Sequence, residues 1–288
     1  MLTNPRSERV RSVRALAGRS VRQRAGRFLA EGPQAVREAV AAQAEAHEVS
    51  RSGARRVHDL YVTSAALERH AGIVDVAHRG GVRVHEVSDE VLAAMSETVT
   101  PQGLLAVCSL VTVPLPQALA AAPRLVAVLS RVRDPGNAGT VLRAADAAGA
   151  GAVVLSADSV DVHNPKCVRS TAGSLFHLPV VSGAPLVEVL AAVRDAGCTV
   201  LAASGDGEHD LDDLLDAAAA GDVPAGAPDL RRPTAWLFGN EAQGLSADER
   251  EAADAVVRVP VHGRAESLNL ATAATVCLYA SARAQRRR

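Results

Sequence analysis

Three short polar clusters, each set directly after or before an apolar run, hold the residues best suited to chemistry. The first is Asn137-Ala-Gly139-Thr-Val-Leu-Arg143, which follows the apolar run 125–130 and the turn-forming stretch Asp134-Pro-Gly. An amide that both donates and accepts, followed by a permanent cation, suits the orientation of a hydroxyl or a phosphate. The two lie six residues apart, nearly two helical turns, so a regular helix does not put them on one face. A local reading accounts for the same letters: Asn137 caps a helix over 138–148, and Arg143 pairs with Asp146. The second cluster, Gly239-Asn-Glu241-Ala-Gln-Gly244, ends the apolar run 234–238. A single carboxylate between glycines can hold a cationic or hydroxyl-bearing ligand, or it can simply close a turn. The third, Glu266-Ser267-Leu268-Asn269, opens an apolar helix over 270–282. Ser267 is the expected helix cap, and Asn269 offers a donor and an acceptor in a crowded place.

Other chemistries lack their residues. No Gly-x-Gly-x-x-Gly follows a strand, which argues against a nicotinamide or general dinucleotide enzyme. Neither a Gly-x-Ser-x-Gly elbow nor a phosphate-binding P-loop occurs. The nine histidines are scattered and the four cysteines widely spaced, so no metal set is expected. Cys108, Cys167, Cys198 and Cys277 lie in apolar surroundings and read as small buried residues of a cytoplasmic protein.

Strands alternating with helices must position these clusters. The carboxyl edge of such a parallel sheet is where ligands bind. A chain of 288 residues that is 48% hydrophobic can form two domains with ample cores. Aromatic residues are 2% of it, so those cores are Ala, Val and Leu. No apolar stretch is long enough for a membrane span, and no secretory signal core follows the first arginines. The spacing predicts a small α/β domain over 1–110, a proline-bearing linker over 111–123 and a second α/β domain over 124–288. Helices are expected at 7–18 and 33–45, with a basic loop over 19–27. Simple strand-helix alternation points to an ordinary Rossmann-like topology, since knots are rare. The net charge of −1 hides an asymmetry: residues 1–58 hold twelve arginines against five glutamates. A basic opening of this kind suits a polyanion, with Arg22, Arg24 and Arg27 as candidate contacts; a solvated helix face is the plainer reading. Lys166 and Arg169, on a helix capped by Asn164, are further candidates.

Taken together, the three clusters resemble the motifs of the SpoU or TrmH-type RNA 2'-O-ribose methyltransferases of the SPOUT superfamily. Asn137 to Arg143 is similar to the first motif, and Leu237-Phe-Gly239-Asn-Glu241-Ala-Gln-Gly244 to the second. Val259-Pro260 and Glu266-Ser267-Leu268-Asn269-Leu270-Ala271 are similar to the third, with Leu270-Ala271 where many relatives carry valine-serine. The likeness covers roughly residues 124–282. More weakly, residues 1–110, through Arg27-Phe-Leu-Ala-Glu31-Gly32, resemble an L30e-like RNA substrate-binding domain. The resemblance replaces the default topology with a C-terminal α/β-knot domain, a deep trefoil knot, working as a homodimer. It implies S-adenosyl-L-methionine as cofactor, bound by Leu237, Phe238, Gly239, Val259, Pro260 and Leu268. It implies Arg143, Asn137, Glu241, Ser267 and Asn269 as catalytic residues. The implied substrate is structured RNA, with 23S rRNA ahead of tRNA. A non-catalytic RNA-binding protein of the same fold would be expected to lose Arg143, Glu241 or Asn269, and all three are present.

Overall fold

The computed structural model describes residues 1–49 and 55–286. The chain forms two compact units, Met1–Val111 with His163–His177, and Thr112–Val162 with Leu178–Arg288.

The first unit opens with helices α1 (Glu8–Ala15) and α2 (Arg19–Ala25), strand β1 (Arg27–Glu31) and helix α3 (Pro33–Val49). There follow β2 (Val57–Thr63), α4 (Ser64–Arg69), α5 (Ala71–Arg79), β3 (Arg83–Val87), α6 (Asp89–Met95) and β4 (Leu104–Ser109). The strands form a mixed sheet in the order β1-β4-β2-β3. Val10, Val13 and Leu16 of the α1 region, at helical spacing, pack with Leu29, Tyr61, Val91 and Met95. The expected basic loop over 19–27 is largely the helix α2, and Arg22 within it is only 2% exposed. Its guanidinium donates to the carbonyls of Leu16 at 3.0 Å and Ala17 at 2.5 Å, satisfying acceptors that the end of α1 leaves open. Arg22 is therefore a structural residue, which corrects its assignment as an RNA contact; Arg24 and Arg27 are exposed.

The second unit begins with α7 (Leu115–Leu119), a short helix inside the expected linker. Then come β5 (Leu125–Leu129), α8 (Pro135–Ala148) and β6 (Ala152–Ser156). Helix α9 (Pro165–Thr171) belongs instead to the first unit, against the sequence-based boundary at 124. Long-range contacts explain this: Phe28 packs on the rings of His163 and Phe176, and Arg169 reaches Glu31 Oε2 at 3.5 Å. Arg169 is thus engaged with a buried carboxylate, while Lys166 is exposed.

The remaining elements are β7 (Val180–Ala184), α10 (Leu186–Asp195), β8 (Thr199–Ala203), β9 (His209–Asp210), α11 (Leu211–Ala220), β10 (Thr234–Phe238), α12 (Ala247–Glu251), β11 (Ala255–Arg258) and α13 (Leu270–Arg286). The seven strands pair in parallel in the order β7-β6-β5-β10-β8-β11-β9. β5, β6 and β10 are buried along their whole length, as their unbroken apolar runs require of strands covered on both faces. One face packs Val126, Val128 and Val154 against Val189 and Val193 of α10. On α13, the buried Ser281 hydroxyl accepts from Trp236 Nε1 at 2.9 Å, which satisfies the one polar atom of the largest core side chain. Because all seven strands run in parallel, the chain leaves β5, β8, β10 and β11 at the same edge.

Candidate active site

At that edge the loop after β10 reaches the loop after β5. Gly239 allows the turn: a Cβ there would lie 2.3 Å from Gly244 C and 2.4 Å from Leu245 N, both backbone. Asn240 and Gly244 exchange backbone hydrogen bonds at 3.1 and 2.8 Å. The Asn240 side chain donates to Arg131 O at 2.9 Å and accepts from Ala242 N at 2.9 Å, fixing the loop to the end of β5.

Glu241 then points its carboxylate at the start of α8. It accepts from Arg133 N at 3.2 Å, Asp134 N at 3.0 Å and Asn137 Nδ2 at 3.3 Å. Asn269 Nδ2 donates to Asn137 Oδ1 at 3.2 Å, so one residue from each of the three clusters joins a single hydrogen-bonded chain. Two expectations about helix ends change here. Helix α8 starts at Pro135, with Asp134 as its cap accepting from Asn137 N at 2.8 Å, so Asn137 lies inside the first turn and does not cap it. For α13 the capping oxygen is that of Asn269, accepting from Ala271 N at 2.9 Å, and not that of Ser267. Ser267 is exposed and lines the adjoining cleft.

Arg143 does not join this chain. It is exposed, and it makes no hydrogen bond or ion pair among the described residues. Six helical residues carry it about 9 Å along α8 and about 120° around it from Asn137. Within one chain, then, Asn137 and Glu241 make no contact with Arg143 among the hydrogen bonds and ion pairs of the described residues.

Beside the cluster lies a cleft of about 620 Å³, floored by the ends of β8, β10 and β11. Phe238, Gly239, Val259, Pro260, Ser267 and Leu268 line it, with Leu268 37% exposed. Leu237 is fully buried in the sheet, and its side chain packs in the core. Among the described residues no group of three His, Cys, Asp or Glu side chains could hold a metal ion. The four cysteines are buried and form no disulfide. No helix among the described residues is long and apolar enough to cross a membrane.

Arg131 and Glu249, which no motif in the sequence marks as a pair, support the cluster. Arg131 adopts a left-handed backbone, φ 54°, which is uncommon for a side-chain-bearing residue. Its guanidinium grips Glu249 through Nε at 3.1 Å and Nη2 at 2.5 Å, and Ser130 Oγ donates to the same carboxylate. Burial pushes the Glu249 pKa up, but hydrogen bonds from Arg131, Ser130 and Ser246 outweigh it and hold the carboxyl below its ordinary value. The capping-box spacing Ser246-x-x-Glu249 was the available sequence signal for this residue. Nothing local marks Arg131.

Comparison with known proteins places these features in context. Residues 124–279 match the model of the SpoU rRNA Methylase family, and residues 7–106 that of the MRM3-like substrate binding domain. The 23S rRNA (guanosine(2553)-2'-O)-methyltransferase RlmP of Bacillus subtilis is 30% identical over 278 residues, covering 96% of this chain and 97% of that protein. An uncharacterized tRNA/rRNA methyltransferase of Synechocystis sp. is 32% identical over 287 residues, covering 99% of this chain and 94% of its own. The crystal structure of the SpoU methyltransferase AviRb from Streptomyces viridochromogenes in complex with AdoMet aligns at a TM-score of 0.72 and 27% identity. That alignment covers 96% of this chain and 98% of the other.

Proposed function

The chain belongs to the SpoU rRNA methylase family, and from that premise we propose that it transfers a methyl group from S-adenosyl-L-methionine to a ribose 2'-hydroxyl of structured RNA, with 23S rRNA as the favoured substrate. The observation that carries this reading is the chain Asn269–Asn137–Glu241 standing beside the 620 Å³ cleft.

The cleft suits the cofactor by size and by chemistry. It falls within the usual range of small-molecule sites, roughly 300–1,000 Å³. Phe238, Val259, Pro260 and Leu268 offer apolar cover, and Gly239 presents bare backbone. When bound, the cofactor supplies an electrophilic methyl on a sulfonium; the protein's task is to orient the hydroxyl in line with it.

Glu241 is a positioning residue in this scheme. Its two oxygens already accept three hydrogen bonds, so it anchors the start of α8. Asn137 and Asn269 each keep one amide hydrogen beyond the bonds described, and the Ser267 hydroxyl is exposed to the cleft. These are the groups that meet the ribose. Arg143 binds the adjacent phosphate and stabilises the developing alkoxide, while the hydroxyl proton passes to solvent water and the sulfonium leaves as the neutral thioether.

The reading includes a homodimer. Val276 and Tyr279 on α13 are exposed, 40% and 49%, and α13 lies against α8, which carries Arg143. A second copy covering these helices brings its own Arg143 to the site, answering the separation within one chain. The reading also includes the trefoil knot and a cytoplasmic setting.

Arg143→Ala tests it. The variant binds S-adenosyl-L-methionine by calorimetry as the parent does, and transfers no methyl to 23S rRNA. Undiminished transfer refutes the role of Arg143. Mapping 2'-O-methylation in ribosomal and transfer RNA, with and without the protein, identifies the substrate; a change confined to tRNA overturns the rRNA assignment.

A further inference from the structure

The first unit holds a second cavity, about 650 Å³, roofed by α1 and α2 and floored by the sheet. Three arginines from three elements line it: Arg9 of α1, Arg27 of β1 and Arg83 of β3. Their opposing charges are Glu8 and Asp59, which leaves a surplus of one positive charge. Asp59 is occupied. It accepts from Arg83 Nε at 3.1 Å and from His85 Nε2 at 2.9 Å. Arg9 reaches His85 Nδ1 at 3.3 Å, which ties a second guanidinium to the same imidazole. Tyr61 stacks on that imidazole, ring centres 5.0 Å apart, and stiffens the network from below. Arg27 is different: its side chain is exposed and makes no hydrogen bond or ion pair among the described residues. The positive field is felt nearby, where burial first and then Arg27 lower the pKa of His58. Between the cations the wall is apolar, with Val13, Leu16, Val21 and Val107.

One guanidinium with no side-chain partner, two tethered ones and an apolar wall, all lining one cavity, match one nucleotide in a single strand. Phosphate pairs with arginine, and an unstacked base lies on guanidinium planes and apolar side chains. We infer that this cavity takes a single unpaired nucleotide of the RNA substrate, its phosphate on Arg27 and its base against the α1 wall. The inference rests on RNA being the substrate. It adds a docking point in the first unit, built from residues that the methyl-transfer site does not use. Its role is to select RNA with an unpaired nucleotide over a continuous duplex.

The test measures binding of a short fluorescein-labelled single-stranded RNA of mixed sequence to the full chain by anisotropy, across a salt series. Arg27→Ser weakens binding about tenfold, the size of one charged hydrogen bond. It also lowers the slope of log affinity against log salt by about 0.7, one phosphate contact. Ser12→Phe, which adds bulk at the cavity wall with no change of charge, weakens binding by a similar factor. Arg79→Ser removes the same charge from α5, outside the cavity, and leaves binding within twofold of the parent. Circular dichroism melting verifies that each variant is folded. Equal losses for Arg27→Ser and Arg79→Ser would overturn the inference in favour of diffuse charge. So would parental binding by both cavity variants, no binding by the parent, or displacement of the RNA by equimolar inorganic phosphate. Methyl transfer to 23S rRNA by the parent is measured separately; its presence alongside a failed cavity test leaves the proposed function standing, and its absence counts against that function alone.

Discussion

Asn269 holds two jobs in one side chain, and substitution separates them. Its Oδ1 caps α13 through Ala271 N at 2.9 Å, and its Nδ2 reaches Asn137 Oδ1 at 3.2 Å. Asn269→Asp keeps the capping oxygen and adds a negative charge at a helix N-terminus, where it is favourable. It removes the donor and sets a carboxylate against Asn137 Oδ1. Asn269→Ala removes both. Loss of an N-cap costs about 1 kcal/mol, which for a unit of this size lowers Tm by about 2–4 °C. The link to Asn137 is exposed, so its loss costs at most about 1 kcal/mol of stability. Its weight in catalysis is larger, because a displacement near 1 Å at a reacting centre can cost about a hundredfold in rate. The expected order of stability is parent close to Asn269→Asp, with Asn269→Ala lowest. The expected order of kcat is parent first, with both variants down by about two orders of magnitude. Differential scanning calorimetry and single-turnover methyl transfer to 23S rRNA measure the two quantities. A fully active Asn269→Asp would refute the catalytic link, and an Asn269→Ala as stable as the parent would refute the cap.

Gly239→Ala places a methyl against the Gly244 and Leu245 backbone, which cannot yield without breaking the Asn240–Gly244 pair. It should cost about 1–3 kcal/mol or more and abolish cofactor binding, read by melting and calorimetry; parental binding would show that the loop can relax. Glu249 has a folded pKa below its unfolded one, so it stabilises the fold above the ordinary carboxylate range, and that stabilisation is lost as pH falls through the folded value. Denaturant titrations should therefore show parent and Glu249→Gln furthest apart at neutral pH and converging below about pH 4; a gap that does not change with pH would contradict this.

The strands of the second unit were legible because β5, β6 and β10 are unbroken apolar runs, and a strand buried on both faces permits little else. The three polar clusters were legible for a related reason: parallel strands deliver whatever follows them to one edge, so polar residues after apolar runs converge. What stayed hidden was decided by partners distant in sequence. Ser267 and Asn269 are both good caps by type, and local pattern cannot choose between them. The choice is consistent with the pairing of Asn269 to Asn137, 132 residues away. Arg22 reads as solvated because Arg19, Arg24 and Arg27 surround it in the chain, yet it faces the open carbonyls at the end of α1. Residues 163–177 read as part of the second unit because chain order is the only local guide, while Phe28 and Glu31 draw them to the first. Arg143 shows the opposite case. Helical arithmetic already set it off the face of Asn137, and in the structure it stands apart from the cluster its motif belongs to. In the proposed homodimer this cation, on a helix packed beside one with exposed Val276 and Tyr279, would act on the second copy of the chain.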